Sequence, residues 1–386
     1  MQPISSYDVI VTGVGSMGSS ACYFLAQRNY KVLGLEQFDI PHELGSYGGQ
    51  SRIIRRAYFE SPDYVPLLNR AYDNWLQLEN QTGSKLYFKT GLLYHGNPDH
   101  PLIKGSKLAA ALYNIHLNGL SIEESVKKFP QFKLPAGFTS FLEPDAGFIT
   151  PERAILTYIE AAIKKGAAIR TKEKVIGWKK ENGNIKVVTV KNTYSCKKLI
   201  ITAGAWTGKI IPHLENSLHV TRQIIAWMKP GKEESFMLQN FPCWMLAPEE
   251  KGGVYYGFPI LPADRFNGPV GLKVAHHYPG LVTDPDTVSR AITKNDEEEI
   301  RAILKKYLPI ANGEILGLKT CLYTNTSDEN FMIDHLPGYD GGIIIACGFS
   351  GHGFKFVSVV GEILADLAIE GKTKLPIEFL RLSRFA

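Results

Sequence analysis

The sequence predicts an α/β fold, α+β overall. A parallel-sheet domain flanked by helices is interleaved with a second, mostly antiparallel-sheet domain. Three observations carry this. A β-branched run near the N-terminus passes into a glycine-rich turn, a helix and a second short strand. Two further strand-to-glycine-turn segments lie far away, near residues 198–206 and 342–355. Between them, Gln223-Ile-Ile-Ala-Trp-Met and Val254-Tyr-Tyr-Gly-Phe have the aromatic, β-branched character of antiparallel strands. At 386 residues the chain is long for one domain of roughly 100–200 residues.

Composition narrows the class. With 44% apolar and 21% charged residues the chain is ordinary globular protein, which excludes disorder, collagen and coiled coil. No run reaches the ~18 apolar residues of a membrane span, so no membrane partner is expected. Met1-Gln-Pro-Ile-Ser-Ser6 lacks a charged and apolar leader, so no signal peptide is expected. The net charge of +5 is spread along the chain, with pairs such as Lys179-Lys180 alternating with acids, and no nucleic-acid partner is expected. Cys22, Cys196, Cys243, Cys321 and Cys347 are odd in number and contain no CxxC. Neither a disulfide framework nor a metal site is expected, and the location read from them is cytoplasmic.

The opening segment is the most informative. Tyr7-Asp-Val-Ile-Val-Thr12 reads as a buried parallel strand, Ser19 to Arg28 as a helix with Ala21, Phe24 and Leu25 on one face, and Lys31 to Glu36 as the next strand. Between them stands Gly13-Val-Gly15-Ser16-Met17-Gly18, a GxGxxG in the context it requires. Gly13 permits the tight turn, Gly15 lets backbone approach a pyrophosphate, and Gly18 allows close packing of the helix. The helix N-terminus offers N–H groups to phosphates. Glu36, 23 residues after Gly13, suits ribose hydroxyls and disfavours the extra phosphate of NADP. The reading is a Rossmann-type domain binding an adenine dinucleotide, and this pattern alone leaves FAD and NAD both open.

Later segments bear on that choice. Lys198-Leu-Ile-Ile-Thr-Ala-Gly204-Ala-Trp206 is a strand entering a small-residue turn, as in the second contact of FAD-binding Rossmann-type domains, with strands at Val175-Ile176 and Val187–Val190 before it. Gly342-Ile-Ile-Ile-Ala-Cys-Gly348 is another strand. A glycine-rich turn, Phe349 to Lys355, follows, and then a helix with Val357, Val360, Ile363, Leu364 and Leu367 at helical spacing. Its N-terminus suits the negative charge of a reduced flavin. The expected FAD-binding domain is therefore discontinuous, 1–85, 146–218 and 321–386, with 86–145 and 219–320 as the substrate domain. In the latter, Ser121 with Glu124 reads as a helix start, and Asn295 to Tyr307 as a charged amphipathic helix.

The chain resembles the monomeric sarcosine oxidase/N-methyltryptophan oxidase family of flavoproteins nearly end to end. The resemblance rests on the Gly13/Gly15/Gly18 run, Gly45-Ser46-Tyr-Gly-Gly-Gln-Ser-Arg52-Ile-Ile-Arg55 and Val254-Tyr-Tyr256-Gly-Phe-Pro. It rests also on Gly271-Leu-Lys273-Val-Ala-His-His277, Cys321-Leu-Tyr323 with Asp334-His-Leu-Pro337, and Gly348-Phe-Ser-Gly351-His-Gly353-Phe-Lys355.

It implies FAD held covalently as an 8α-S-cysteinyl thioether on Cys321, and Lys273 over the flavin face activating O2. It implies Arg52 against the ring, Arg55 and Lys355 clamping the substrate carboxylate, and His277, Tyr256 and Tyr323 in the substrate cavity. Ser46, Val175, Gly204, Trp206, Gly348, Gly351 and Gly353 complete the expected FAD contacts. Read without it, Lys273 is a strand lysine, Cys321 a buried small residue, and the Arg52–Arg56 cluster a solvated turn. His276 beside His277 leaves a one-residue ambiguity.

The implied activity is oxidation of a secondary amino acid, sarcosine or another N-methyl amino acid, to an imine, with O2 reduced to H2O2, in a monomer. The alternatives are an FAD dehydrogenase with another acceptor, an oxidase of a cyclic or glycated amino acid, an NAD-dependent dehydrogenase and a non-catalytic dinucleotide module. Two departures bear on the substrate. Tyr47 and Gly48 stand where family members carry two histidines, and the segment from Pro259 to Gly271 is longer than in the sarcosine enzyme.

Overall fold

The computed structural model describes residues 5–250, 252–277 and 280–385, so residues 1–4, read above for a leader, lie outside it. The first strand, Ser5–Thr12, is central in an eight-stranded sheet. It runs parallel to Val32–Leu35 on one side and Thr193–Ile201 on the other, and Ala168–Arg170 and Ile343–Cys347 extend the parallel set outward. The Val175–Glu181 and Asn184–Thr189 hairpin and the Met332–His335 strand add antiparallel pairings.

The continuous apolar runs are explained by cover on both faces. Val9, Val11, Ile200 and Ile344 pack with the helices Ser16–Gln27, Val65–Thr82, Pro151–Lys164 and Val357–Glu370. Their alternating neighbours Ile10, Leu199, Ile201 and Ile343 point into a second cluster with Val187 and Met332. The first helix begins at Ser16 rather than Ser19, because the middle of the GxGxxG forms its opening turn.

Among the described residues the second sheet has nine strands, and of its pairings only Cys243–Leu246 with Leu92–Gly96 is parallel. His219–Lys229 and Glu314–Asn325 run side by side along their length. Cys321 lies within the latter strand, so the border expected at 321 cuts a continuous strand, and the chain rejoins the first sheet at Met332. The motif at Cys321 marks a cavity position, and no change of pattern marks the strand there.

A small sheet of Arg52–Ile54, Gly147–Ile149 and Tyr87–Phe88 completes the strands. Ser121 and Glu124 form the expected capping box, and a second one at Thr293 and Asp296 starts the helix Lys294–Tyr307 one residue before its expected start. That helix buries Ile300, Leu304 and Tyr307 against the second sheet.

Candidate active site

Residues from both large sheets line one cavity of ≈430 Å³. At the first turn Gly13 has φ +88°, and a Cβ there would stand 2.5 Å from the Thr202 carbonyl oxygen. A Cβ on Gly18 would stand 2.0 Å from the Gly13 oxygen. At Gly15 a Cβ would meet only the Tyr47 ring, at 3.7 Å. Two glycines thus serve the turn's own packing, and the middle one leaves space on the cavity side.

Ser16 and Met17 line the cavity beside Gly13 and Gly15, whereas Gly18 does not. Glu36 is buried. Its carboxylate accepts from the Val14 N–H at 2.9 Å and the Phe38 N–H at 3.0 Å. Burial raises its carboxyl, opposed by these donors. Ser46, Val175, Gly204 and Trp206 line the same wall.

Cys321, Arg52, Tyr256, His277, Tyr323, Gly348, Gly351, Gly353, Arg55 and Lys355 all line this one cavity. The Arg52 guanidinium donates to the carbonyls of Ser46, Gly48 and Ser51, which fixes its plane. Arg55 is 2% exposed, and its Nη2 reaches both oxygens of Glu60 at 2.7 Å. Arg55 holds the Glu60 carboxyl down at about 2 against the opposing effect of burial.

Lys355 is buried, its Nζ donating to the His352 carbonyl at 2.6 Å and standing 5.0 Å from the centre of the Tyr58 ring. Burial and Arg55 lower its ammonium to about 7, with Glu60 opposing. Burial also brings His277 down to about 4. Its Nδ1 lies 3.3 Å from the Tyr323 hydroxyl, and burial raises both Tyr323 and Tyr256.

The ambiguity between the histidines is resolved: His277 lines the cavity, whereas His276 stacks on Tyr255 and bonds Glu299 at 2.5 Å. Burial raises the Cys321 thiol, and Arg52 and Lys273 act against that.

Lys273 is the exception among the expected catalytic groups, since it does not line the cavity. Its ammonium donates to the carbonyls of Gly49 and Ser51, each at 2.6 Å, and to Ser51 Oγ at 3.3 Å. Burial and Arg52 push its pKa far down, while those three oxygens favour the charged form.

The departures also have a place. Tyr47 lines the cavity with its hydroxyl on the His42 N–H at 2.6 Å, and the Lys319 ammonium stands 3.1 Å from where a Gly48 Cβ would be. The 259–271 segment contributes no residue to the cavity wall; its Phe266 packs on Phe88 and Phe148.

Sequence reasoning missed Glu60, His352 and Met245, all on the wall. His352 was within reach, since it sits inside the glycine-rich turn already singled out. Glu60 carries no local signal, because its partnership depends on how the chain after Arg55 folds back.

The residues fit a flavin dinucleotide. The space at Gly15 would admit a pyrophosphate, and Glu36 would take ribose hydroxyls. The buried hydroxyls of Thr12 and Thr324, both on wall residues, have no hydrogen-bond partner among the described residues. Gly15→Ala is expected to leave a folded protein, since a Cβ there meets only the Tyr47 ring at 3.7 Å, but to abolish FAD binding. Flavin absorbance per protein should fall to background while the thermal midpoint of the apoprotein is unchanged. Retained flavin would refute the assignment.

Comparison with known proteins agrees in kind. Residues 8–367 match the FAD dependent oxidoreductase family. The chain is 37% identical over 383 residues to the monomeric sarcosine oxidase of Bacillus sp. (strain B-0618), covering 98% of this chain and 96% of the relative. It is 32% identical over 381 residues to the N-methyl-L-tryptophan oxidase of Citrobacter koseri, covering 98% and 99%. Among solved structures, the open form of NikD, an unusual amino acid oxidase essential for nikkomycin biosynthesis, matches with a TM-score of 0.85. That match is at 24% identity over 98% of this chain and 97% of NikD, and it speaks to the fold.

Proposed function

The chain belongs to the FAD dependent oxidoreductase family that includes monomeric sarcosine oxidase and N-methyl-L-tryptophan oxidase, and from this we propose that it oxidises sarcosine or another N-methyl amino acid, with O2 as electron acceptor. The products are an imine, which water hydrolyses, and hydrogen peroxide. One observation carries this reading: a single cavity joins the dinucleotide turn at Gly13 to two buried basic side chains, Arg55 and Lys355.

FAD, when bound, supplies the acceptor for a hydride equivalent from the substrate C–N bond. The chain supplies the rest. Arg55 and Lys355 hold the carboxylate by charge-assisted hydrogen bonds, which orients the amino acid. Met245 and Tyr256 give the pocket an apolar wall that limits water. Arg52, with its plane fixed by three carbonyls, suits stacking on a flat ring. Lys273, in the protonated form that the Gly49 and Ser51 oxygens favour, supplies positive charge that aids the one-electron reduction of O2 to superoxide.

Cys321 carries FAD as an 8α-S-cysteinyl thioether. Its place on the cavity wall beside the charges of Arg52 and Lys273 supports this. The protein acts as a monomer, as its relative the monomeric sarcosine oxidase is named, and in the cytoplasm, the latter supported by five cysteines that are all buried and unpaired. No described helix is long and apolar enough to cross a membrane.

A screen of sarcosine, N-methyltryptophan, pipecolate, proline and a fructosyl amino acid for peroxide release tests the function. An N-methyl amino acid should give the highest kcat/KM; peroxide only from the cyclic or glycated compounds would overturn the substrate. Acid precipitation of the wild-type protein should give a yellow pellet. Cys321→Ser should give a colourless pellet under a yellow supernatant, and a yellow pellet from that variant would remove the link from Cys321.

A further inference from the structure

We propose that Lys355 accepts the proton that an incoming amino acid must lose, so that the substrate is held as its neutral amine. This rests on the reading of the substrate given above. An N-methyl amino acid is a zwitterion near neutral pH, and its ammonium nitrogen has no lone pair to support oxidation of the C–N bond. One proton must therefore leave that nitrogen.

The titratable groups around Lys355 narrow the acceptor. From the first part of the chain come Arg52, Arg55, Tyr58 and Glu60; from the second sheet come His277 and Tyr323; from its own turn comes His352. Glu60 is closed on Arg55 by its two hydrogen bonds. His352 has both ring nitrogens engaged, Nδ1 with the Tyr58 hydroxyl at 2.5 Å and Nε2 with the Glu329 carbonyl at 3.0 Å. His277 is a weak base, with burial bringing it down to about 4, and Tyr323 is raised and stays protonated. The arginines remain charged.

Lys355 differs from all of these. It lines the cavity, it is 5% exposed, and among the described residues no carboxylate lies within ion-pair distance of its Nζ. A backbone carbonyl is its hydrogen-bond acceptor, which a neutral amine satisfies as well as an ammonium. Burial and Arg55 bring it down to about 7.

The charges then balance without importing any net charge into a buried site. The Arg55–Glu60 pair is neutral, Lys355 enters neutral, and the arriving zwitterion is neutral. Once the carboxylate lies against Nζ, it raises the proton affinity of Lys355, while burial disfavours the substrate ammonium. One N–H bond breaks on the substrate nitrogen, one forms on Nζ, and no electrons move.

Proton counting on the FAD-loaded enzyme tests this, with an indicator dye in weak buffer at pH 8 under anaerobic conditions. Methoxyacetate, which replaces the N–H of sarcosine by oxygen, brings a carboxylate and no proton. Its binding should take up about 0.9 proton per site, from a group near 7 that becomes fully protonated. Sarcosine binding, before flavin reduction, should exchange no net proton. In Lys355→Arg the cation is permanent, so methoxyacetate should bind with no uptake and sarcosine should release about one proton per site. Lys355→Met, a neutral second variant, should likewise show no uptake.

Uptake undiminished in either variant, or wild-type sarcosine binding that releases a proton, would overturn the proposal. Failure of methoxyacetate to bind the wild-type enzyme would do so too. Uptake that depends on Lys355, with no flavin reduction by any N-methyl amino acid, would sink the substrate reading alone. Flavin reduction by sarcosine without such uptake would sink this inference alone.

Discussion

Lys273→Met should slow the reaction of the reduced enzyme with O2 by about 10²–10³-fold, the loss typical of removing a charge-stabilising donor from a water-poor site. Anaerobic reduction by the substrate should stay within a few-fold of wild type, because Lys273 lies off the cavity wall and touches no group proposed to hold the amino acid. Methionine suits the position, being of similar length and facing the Phe258 ring. Stopped-flow mixing of substrate with oxidised enzyme, then of O2 with reduced enzyme, separates the two half-reactions. An unchanged O2 rate would show that positive charge at this depth plays no part, and Arg52 would then be the remaining candidate.

Arg55→Met should lower both stability and substrate affinity. It strands Glu60 in a buried site with its partner gone, a change that costs about 3–5 kcal/mol where buried pairs have been broken. It also removes the fork that grips the carboxylate, so kcat/KM should fall by two or more orders of magnitude through a raised KM. Denaturant unfolding and steady-state kinetics read these separately. The double variant Arg55→Met, Glu60→Gln should recover much of the stability and none of the kcat/KM. Recovery of activity would mean that Glu60, rather than substrate, is what Arg55 serves.

The pair also sets an acid limit. The folded-state pKa of Glu60 is lowered from 4.5 to about 2. The stability it contributes is therefore complete above its unfolded value and is lost as pH falls from about 4.5 through about 2. That loss should be absent in Glu60→Gln.

Much of the fold was legible because its signals are local. A buried parallel strand must be apolar on both faces, a helix start needs its cap, and a turn such as that at Gly13 admits only glycine. These rules located the first turn, the Ser121 capping box and the last strand and helix from residue type alone. The resemblance added which positions to watch, and all but Gly18 and Lys273 of the expected site residues line one cavity.

The residues that sequence reasoning passed over owe their importance to contacts that no local pattern marks, whether the partner is five residues away, as for Glu60, or hundreds, as for His352. Glu60 matters through Arg55, His352 through Tyr58, and Lys319 through the space left by Gly48. The 259–271 segment, which the sequence reading did single out, places its Phe266 against Phe88 and Phe148 and contributes nothing to the cavity wall.

By itself, then, the sequence determined the class of fold, the dinucleotide turn and the set of residue types from which a flavin site could be built, because strand period, helix capping and glycine geometry are properties of neighbours along the chain. Only the tertiary structure decided which of two adjacent histidines faces the cavity, that Arg55 is already paired, that Lys273 sits off the wall, and that Lys355 stands buried with no carboxylate among the described residues at ion-pair distance. Those are matters of distance and desolvation, set by how segments such as 49–51 and 273 meet across more than two hundred residues and by how the chain folds back from Arg55 to Glu60, and no local pattern encodes them.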